Sequence, residues 1–339
     1  MRVIRALMLA TALLCAVVQP GAKGAFAAPK DSGAKESAYV WTRVTSRSVV
    51  PGGSNFPVFV QGRAYAFHPD RIWSTADGRA WKGEALPEGE LNTTYLKYVQ
   101  HRGAIYALGS IKGGYTDFVI DPVVRRTNDF KTWETLGRGN IPNRIFYTAI
   151  SFKGAIWLLG GDDGKKLYND VWRSPDGVNW TQVTAQAPWS ARAGAKAFIY
   201  KDRLWLIGGA ETSGMTNDVW FTPDGIEWIQ TTAEISPQKP FGYTPVVYDN
   251  KIWLVGVETS EPTRSGLMMV SEDGAMWRTI EAPWSPRSGV AAWVADDALF
   301  MAAGALAGVE DGDSVYSREV WRMDHLGSSS SSPRRRRAR

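Results

Sequence analysis

Three arginines share one local setting. Arg192 closes the run Ala187-Pro188-Trp189-Ser190-Ala191-Arg192, and Arg287 closes Ala282-Pro283-Trp284-Ser285-Pro286-Arg287. Arg144 stands just before the corresponding β-rich run, Tyr147 to Phe152. A planar guanidinium fork suits carboxylates and other anions. Tyr147, Lys196, Tyr243 and Trp293 follow within a few residues of this register and can add stacking or hydrogen-bonding groups. A sugar site pairs aromatic faces with a few polar groups in this way. The same arginines can instead bond backbone carbonyls between structural units, and the aromatic rings can serve as packing.

Covalent chemistry has few candidates. His68, His101 and His325 are the only histidines, they fall in different registers, and no zinc-ligand spacing occurs. Register places no serine opposite a histidine. Cys15 is the only cysteine, and it lies in the N-terminal leader, so the mature body has no disulfide, thiolate metal site or cysteine nucleophile. Asp162-Asp163-Gly164 and Asp311-Gly312-Asp313 can offer oxygen ligands to calcium, but they also read as solvated turns. No cofactor is expected.

The elements that must position the arginines come from a repeat. Asn169-Asp170-Val171-Trp172-Arg173-Ser174-Pro175-Asp176-Gly177-Val178-Asn179-Trp180 matches Asn217-Asp218-Val219-Trp220-Phe221-Thr222-Pro223-Asp224-Gly225-Ile226-Glu227-Trp228. Looser copies end at Trp81, Trp133 and Trp277, so the terminal tryptophans recur at intervals of 47 to 52 residues. An aspartate lies four residues before each: Asp77, Asp129, Asp176, Asp224 and Asp273. Upstream comes an apolar strand ending in small residues, as in Ala155 to Gly161 and Arg203 to Gly209. Short β-branched and aromatic runs broken by Gly, Asp and Pro are strand-and-turn chemistry. The period fits a propeller blade of four strands.

Five complete units lie between residues 55 and 281. A sixth starts at Arg287 and reaches Glu319-Val320-Trp321 without a fourth strand. Val40-Trp41-Thr42-Arg43-Val44-Thr45 resembles Asn179-Trp180-Thr181-Gln182-Val183-Thr184 and supplies the missing strand. The expectation is all-β: one six-bladed β-propeller over 39–325, its last blade closed by the N-terminal strand, which removes free sheet edges. In a radial fold the same position in every blade faces the same rim, so Arg144, Arg192 and Arg287 should gather near one mouth of the central channel. Blade 5 departs, with Lys239 nearby, and blades 1 and 2 have Asn55 and Asn92 there. The hairpin aspartates should bond turn N–H groups, and each terminal tryptophan should pack over its turn.

The Gly-Gly strand, the Asp-Val-Trp strand and the terminal tryptophan resemble kelch-type propellers of the galactose-oxidase superfamily. The hairpin Ser174-Pro175-Asp176-Gly177-Val178-Asn179-Trp180 is similar to a shortened Asp-box of sialidases. The resemblance implies a ligand-binding face bearing arginines, carried onto Arg144, Arg192 and Arg287. It does not imply galactose oxidase activity, because the Tyr–Cys cross-link of that copper site has no mature cysteine here. The sialidase pattern also asks for a Tyr–Glu pair that finds no place in this chain. The function expected is therefore a ligand-, glycan- or protein-binding module. The alternative is a sugar-active enzyme resembling periplasmic sialic acid mutarotases, for which no general acid or base is identified. A propeller fold alone decides neither, since the same fold hosts unrelated functions.

Charge narrows the partners. The 339 residues carry 39 Lys and Arg against 34 Asp and Glu, a net charge of +5. Arg2, Arg5 and Lys23 at one end, with Arg334, Arg335, Arg336, Arg337 and Arg339 at the other, account for more than that whole excess. The mildly acidic body gives no reason to expect nucleic acid. Residues 1–27 read as a signal peptide: a basic start, the apolar run Ala6 to Val18 and the small-residue cleavage site Ala25-Phe26-Ala27. Residues 28–38 read as a flexible segment and 326–339 as a disordered Ser/Arg-rich tail that can touch anionic surfaces. A secreted or periplasmic monomer without a transmembrane helix is expected, its partner an anionic small molecule, a glycan or a protein.

Overall fold

The computed structural model describes residues 38–46, 48, 55–60, 62–68, 71–85, 96–109, 111–112, 118–259, 266–306 and 316–326. The expected signal peptide at residues 1–27, the 28–38 segment up to residue 37, Asn92, Asp311-Gly312-Asp313 and the residues beyond 326 lie outside the described residues.

Six four-stranded antiparallel sheets form the blades of a β-propeller. Their innermost strands are Asn55–Val60, Lys97–His101, Thr148–Phe152, Lys196–Tyr200, Thr244–Tyr248 and Ala291–Ala295. Each packs on the inner strand of the next blade, and the first packs on the last, closing a ring about a central channel. The second strands of blades 2 to 6 are buried on both faces. Every residue from Ala155 to Asp162 is buried, as are Ala104–Leu108 and Ala298–Ala302. This is why they read as unbroken apolar runs: a blade is covered by a neighbour on each side. Outer strands such as Thr181–Thr184 and Ile229–Thr232 are polar and half exposed.

The hairpins behave as their residue types require. The Asp176 carboxylate accepts from the N–H groups of Val178 and Asn179 at 2.9 and 2.8 Å, while the Gly177 N–H donates to Ser174 Oγ at 2.8 Å. The same bonds recur around Asp77, Asp129, Asp224 and Asp273. Trp180 Nε1–H donates to the Gly177 carbonyl at 2.7 Å, so the ring caps the turn. Glycine matters at this turn for a second reason. Gly225 has φ of 89°, and a Cβ there would lie 2.2 Å from the Trp157 ring of the preceding blade. Blade 2 solves the contact differently: Phe130 takes the place at φ of 60° and sets its own ring against Tyr65 of blade 1, tilted by 40° with centroids 4.4 Å apart.

The last blade closes as expected. Tyr39–Thr45 runs antiparallel to Val320–His325, pairing Trp41 with Met323 and Arg43 with Trp321. Trp41 meets Trp284 edge-on at 4.7 Å, as Trp228 meets Trp189 at 5.9 Å one pair of blades earlier. The N-terminal strand therefore makes the packing contact of a fourth strand as well as its hydrogen bonds. Among the described residues no helix is long and apolar enough to cross a membrane.

Candidate functional site

The chain enters each blade at the rim where the inner strand begins, and the Asp-Gly hairpins lie on the opposite rim. On the first rim each of the three arginines is drawn into its own blade. Arg144 grips Asp170 with both arms, at 2.5 and 3.1 Å, and Arg192 grips Asp218 at 2.5 and 2.8 Å. Arg287 reaches Glu319 at 2.8 Å and Ser317 at 2.5 Å. The acids belong to the Asp-Val-Trp strand or its Glu319-Val320-Trp321 variant. The tryptophan two residues on donates to the same acid in all three blades. Arg192 also donates to the carbonyls of Ser190 and Gly208, both at 3.0 Å. The arginines are 4, 1 and 2% exposed. Their forks are filled by the chain itself, and their geometry ties each approach segment to the third strand of its blade.

Blade 5 supports that assignment. By strand register Leu267 stands where blades 3, 4 and 6 have the acid, and Pro240 stands where they have the arginine. The two charges are lost together. A buried pair behaves so, because either charge alone would be left uncompensated. The Gly-Gly step makes room for the approach segment. A Cβ on Gly161, at φ of 110°, would meet the Ile145 carbonyl and Tyr147 Cβ at 2.9 Å each.

Tyr147 and Tyr243 are 2 and 4% exposed. They fill the space between blades, the Tyr147 hydroxyl donating to the Leu108 carbonyl at 3.4 Å, and burial pushes both phenols up. Trp293 is buried and stacks on Phe300. Lys239 donates its backbone N–H to Ser236 within its own turn. Asp163 is committed to a local turn, accepting from the N–H groups of Lys165 and Lys166 and from the Tyr168 hydroxyl.

Lys196 differs from all of these. It is exposed, yet burial of its surroundings lowers its ammonium pKa. Both hold at once for a side chain enclosed by the channel wall but reached by solvent along the axis. It also has a counterpart that the sequence reading missed. Lys97 opens the inner strand of blade 2 at the same register, opposite Leu108, as Lys196 lies opposite Ile207. Desolvation, then the charge of Lys196, pulls Lys97 down to about 8. Thr148, Thr244 and Ala291 occupy that register in blades 3, 5 and 6. The signal lay in the register of blade 2, whose hairpin is a weak copy of the repeat.

A second pairing corrects the sequence reading. Ser151 Oγ lies 2.8 Å from His101 Nδ1, although register placed no serine opposite a histidine. The contact crosses from one blade to the next, one residue out of step. His101 Nε2 lies 3.2 Å from the Pro175 carbonyl, which can only accept, so Nε2 carries the proton and Nδ1 accepts from the serine. Burial lowers the His101 pKa and keeps the ring neutral. The spacing suits a base and its nucleophile, but the slot is a tether. In blade 4 the same position is Tyr200, whose hydroxyl lies 2.7 Å from the Glu272 carbonyl, the equivalent of Pro175.

No family model matches the chain, and no curated protein matches its sequence. The function is therefore argued from the rim itself.

Proposed function

We propose that this propeller is an exported binding module that takes an anionic ligand, or the anionic part of a glycan or protein partner, at the rim where the inner strands begin. The observation that carries the reading is the channel mouth. Two lysines, Lys97 and Lys196, begin inner strands there at one register, and among the described residues neither has an acidic partner. The three arginines contribute by holding the approach segments around that mouth rather than by direct contact. Export rests on the leader-like residues 1–27, and kelch-type ancestry on the Gly-Gly and Asp-Val-Trp strands. The reading includes no covalent chemistry.

Hydrogen exchange during a ligand screen tests the binding reading. Mature protein would be screened by thermal shift against sugar acids, phosphorylated sugars, neutral glycans and acidic peptides. A ligand that raises Tm should slow exchange in residues 141–147, 187–196, 237–244 and 284–291. Protection confined to the Asp-Gly hairpins of the opposite rim would refute it. Export is tested by sequencing the N-terminus of protein recovered outside the cytoplasm, which should begin at Ala28. An intact Met1 on cytoplasmic protein would refute it.

A further inference from the structure

None of the six inner strands contains an aspartate or glutamate. Their cationic residues besides the tethered His101 are Lys97 and Lys196, which begin two strands flanking that of blade 3. Their charges act on each other, and the strand between them, Thr148–Phe152, bears none. Acids do stand on this rim, but among the described residues they are occupied. Glu211 bonds Ser190 and lies 3.5 Å from Arg192. Asp162 is buried, accepting from the Gly164 N–H, and burial raises the Glu258 pKa against a bond from Ser288. Two ammoniums thus share a partly dehydrated space with no counter-charge among the described residues. Such a charge is costly unless it is paired or neutralised.

We propose that Lys97 and Lys196 are the two arms of a receptor for a small dianion, a phosphate group or a dicarboxylate, held in the mouth of the channel. The proposal rests on the reading of this rim as the binding face and names its chemistry. A dianion between the lysines removes their mutual repulsion and gives each ammonium a charge-assisted hydrogen bond. The enclosing wall lowers the local dielectric, so the same contacts act more strongly than on an open surface. A compact, hydrated ammonium on a flexible stem can close on anions of different shape, which a rigid guanidinium fork does less readily.

Isothermal titration of the full chain tests this, with inorganic phosphate and with succinate, at pH 7 and low ionic strength. One saturable site per chain is expected for at least one of the two. Phosphate alone would assign a phosphoryl group, and succinate alone a dicarboxylate. Lys97→Met and Lys196→Met should each weaken binding about tenfold or more, and the double variant should abolish it. Lys165→Met, on an exposed turn, should bind as the parent does. Methionine keeps the stem packed, and cooperative melting at or above the parent's Tm would show that the variants fold. Absence of saturable binding to either anion, or binding unaltered in the double variant, would overturn the proposal. A glycan or protein ligand retained by a double variant would also overturn it, while leaving the rim as the binding face.

Discussion

Replacing Arg192 by alanine should damage the fold more than any surface change. Its guanidinium and the Asp218 carboxylate have side chains only 1 and 10% exposed, and they meet through two bonds. Burial alone would raise the Asp218 pKa, but Arg192 overrides it and holds the group below its ordinary value. Removing one member of such a pair leaves an uncompensated buried charge, at a cost of about 3–5 kcal/mol. That is a large share of the roughly 5–15 kcal/mol by which a domain is stable. Removing both charges should cost far less than the two single losses together, as Pro240 and Leu267 of blade 5 show to be tolerable. The residual cost, about 1 kcal/mol, is the Trp220 N–H left without its acceptor. Urea denaturation of Arg192→Met, Asp218→Leu and the double variant gives the coupling through a double-mutant cycle. The expected coupling is about 2 kcal/mol or more. Because the folded-state pKa of Asp218 is lowered, this contribution is complete above the unfolded value near 3.8 and disappears as pH falls through the folded one. Additive losses, or a stable Arg192→Met that merely fails to bind ligand, would refute the structural role.

Three further outcomes follow from the same geometry. Asp176→Ala removes the acceptor of two turn N–H groups and should cost about 1–2 kcal/mol in urea denaturation, with no change in anion binding at the opposite rim. Deleting residues 38–46 unpairs the edge of Val320–His325, so size-exclusion chromatography should show association or aggregation in place of the parent species. Lys97→Met should stabilise the protein at pH 7 in anion-free buffer. A lysine pKa lowered to about 8 from 10.5 disfavours the charged form in the fold, so the wild-type penalty is full below about pH 8 and fades toward 10.5. Discounted for solvent in the channel, the gain is about 1–3 kcal/mol at pH 7, and denaturation at pH 7 and 10 should show it shrink.

The fold was legible because its repeat is local. Each Asp176-Gly177-type hairpin and each unbroken apolar strand reports its own geometry, and Trp41 could be matched to Trp180 without knowing what either touched. Partnerships across the blade were not legible. Arg192 reads as a free anion-binding group until Asp218 is seen beneath it, although the joint absence of both charges in blade 5 was visible in the chain. Lys97 went unnoticed because its equivalence to Lys196 depends on strand pairing in a blade whose hairpin glycine is replaced by Phe130. Contacts between blades, such as His101 with Ser151, depend on how adjacent sheets stagger, which no single repeat encodes.

The titration of the channel lysines tests the central claim most directly. With lysines carrying a 13C label at the ε position, NMR would follow each ammonium from pH 6 to 11, with Lys97→Met and Lys196→Met assigning the two resonances. Lys97 should titrate near 8, Lys196 should also titrate below 10.5, and phosphate or succinate should move both upward. Two lysines that titrate at the ordinary value of 10.5 and ignore both anions would contradict the account.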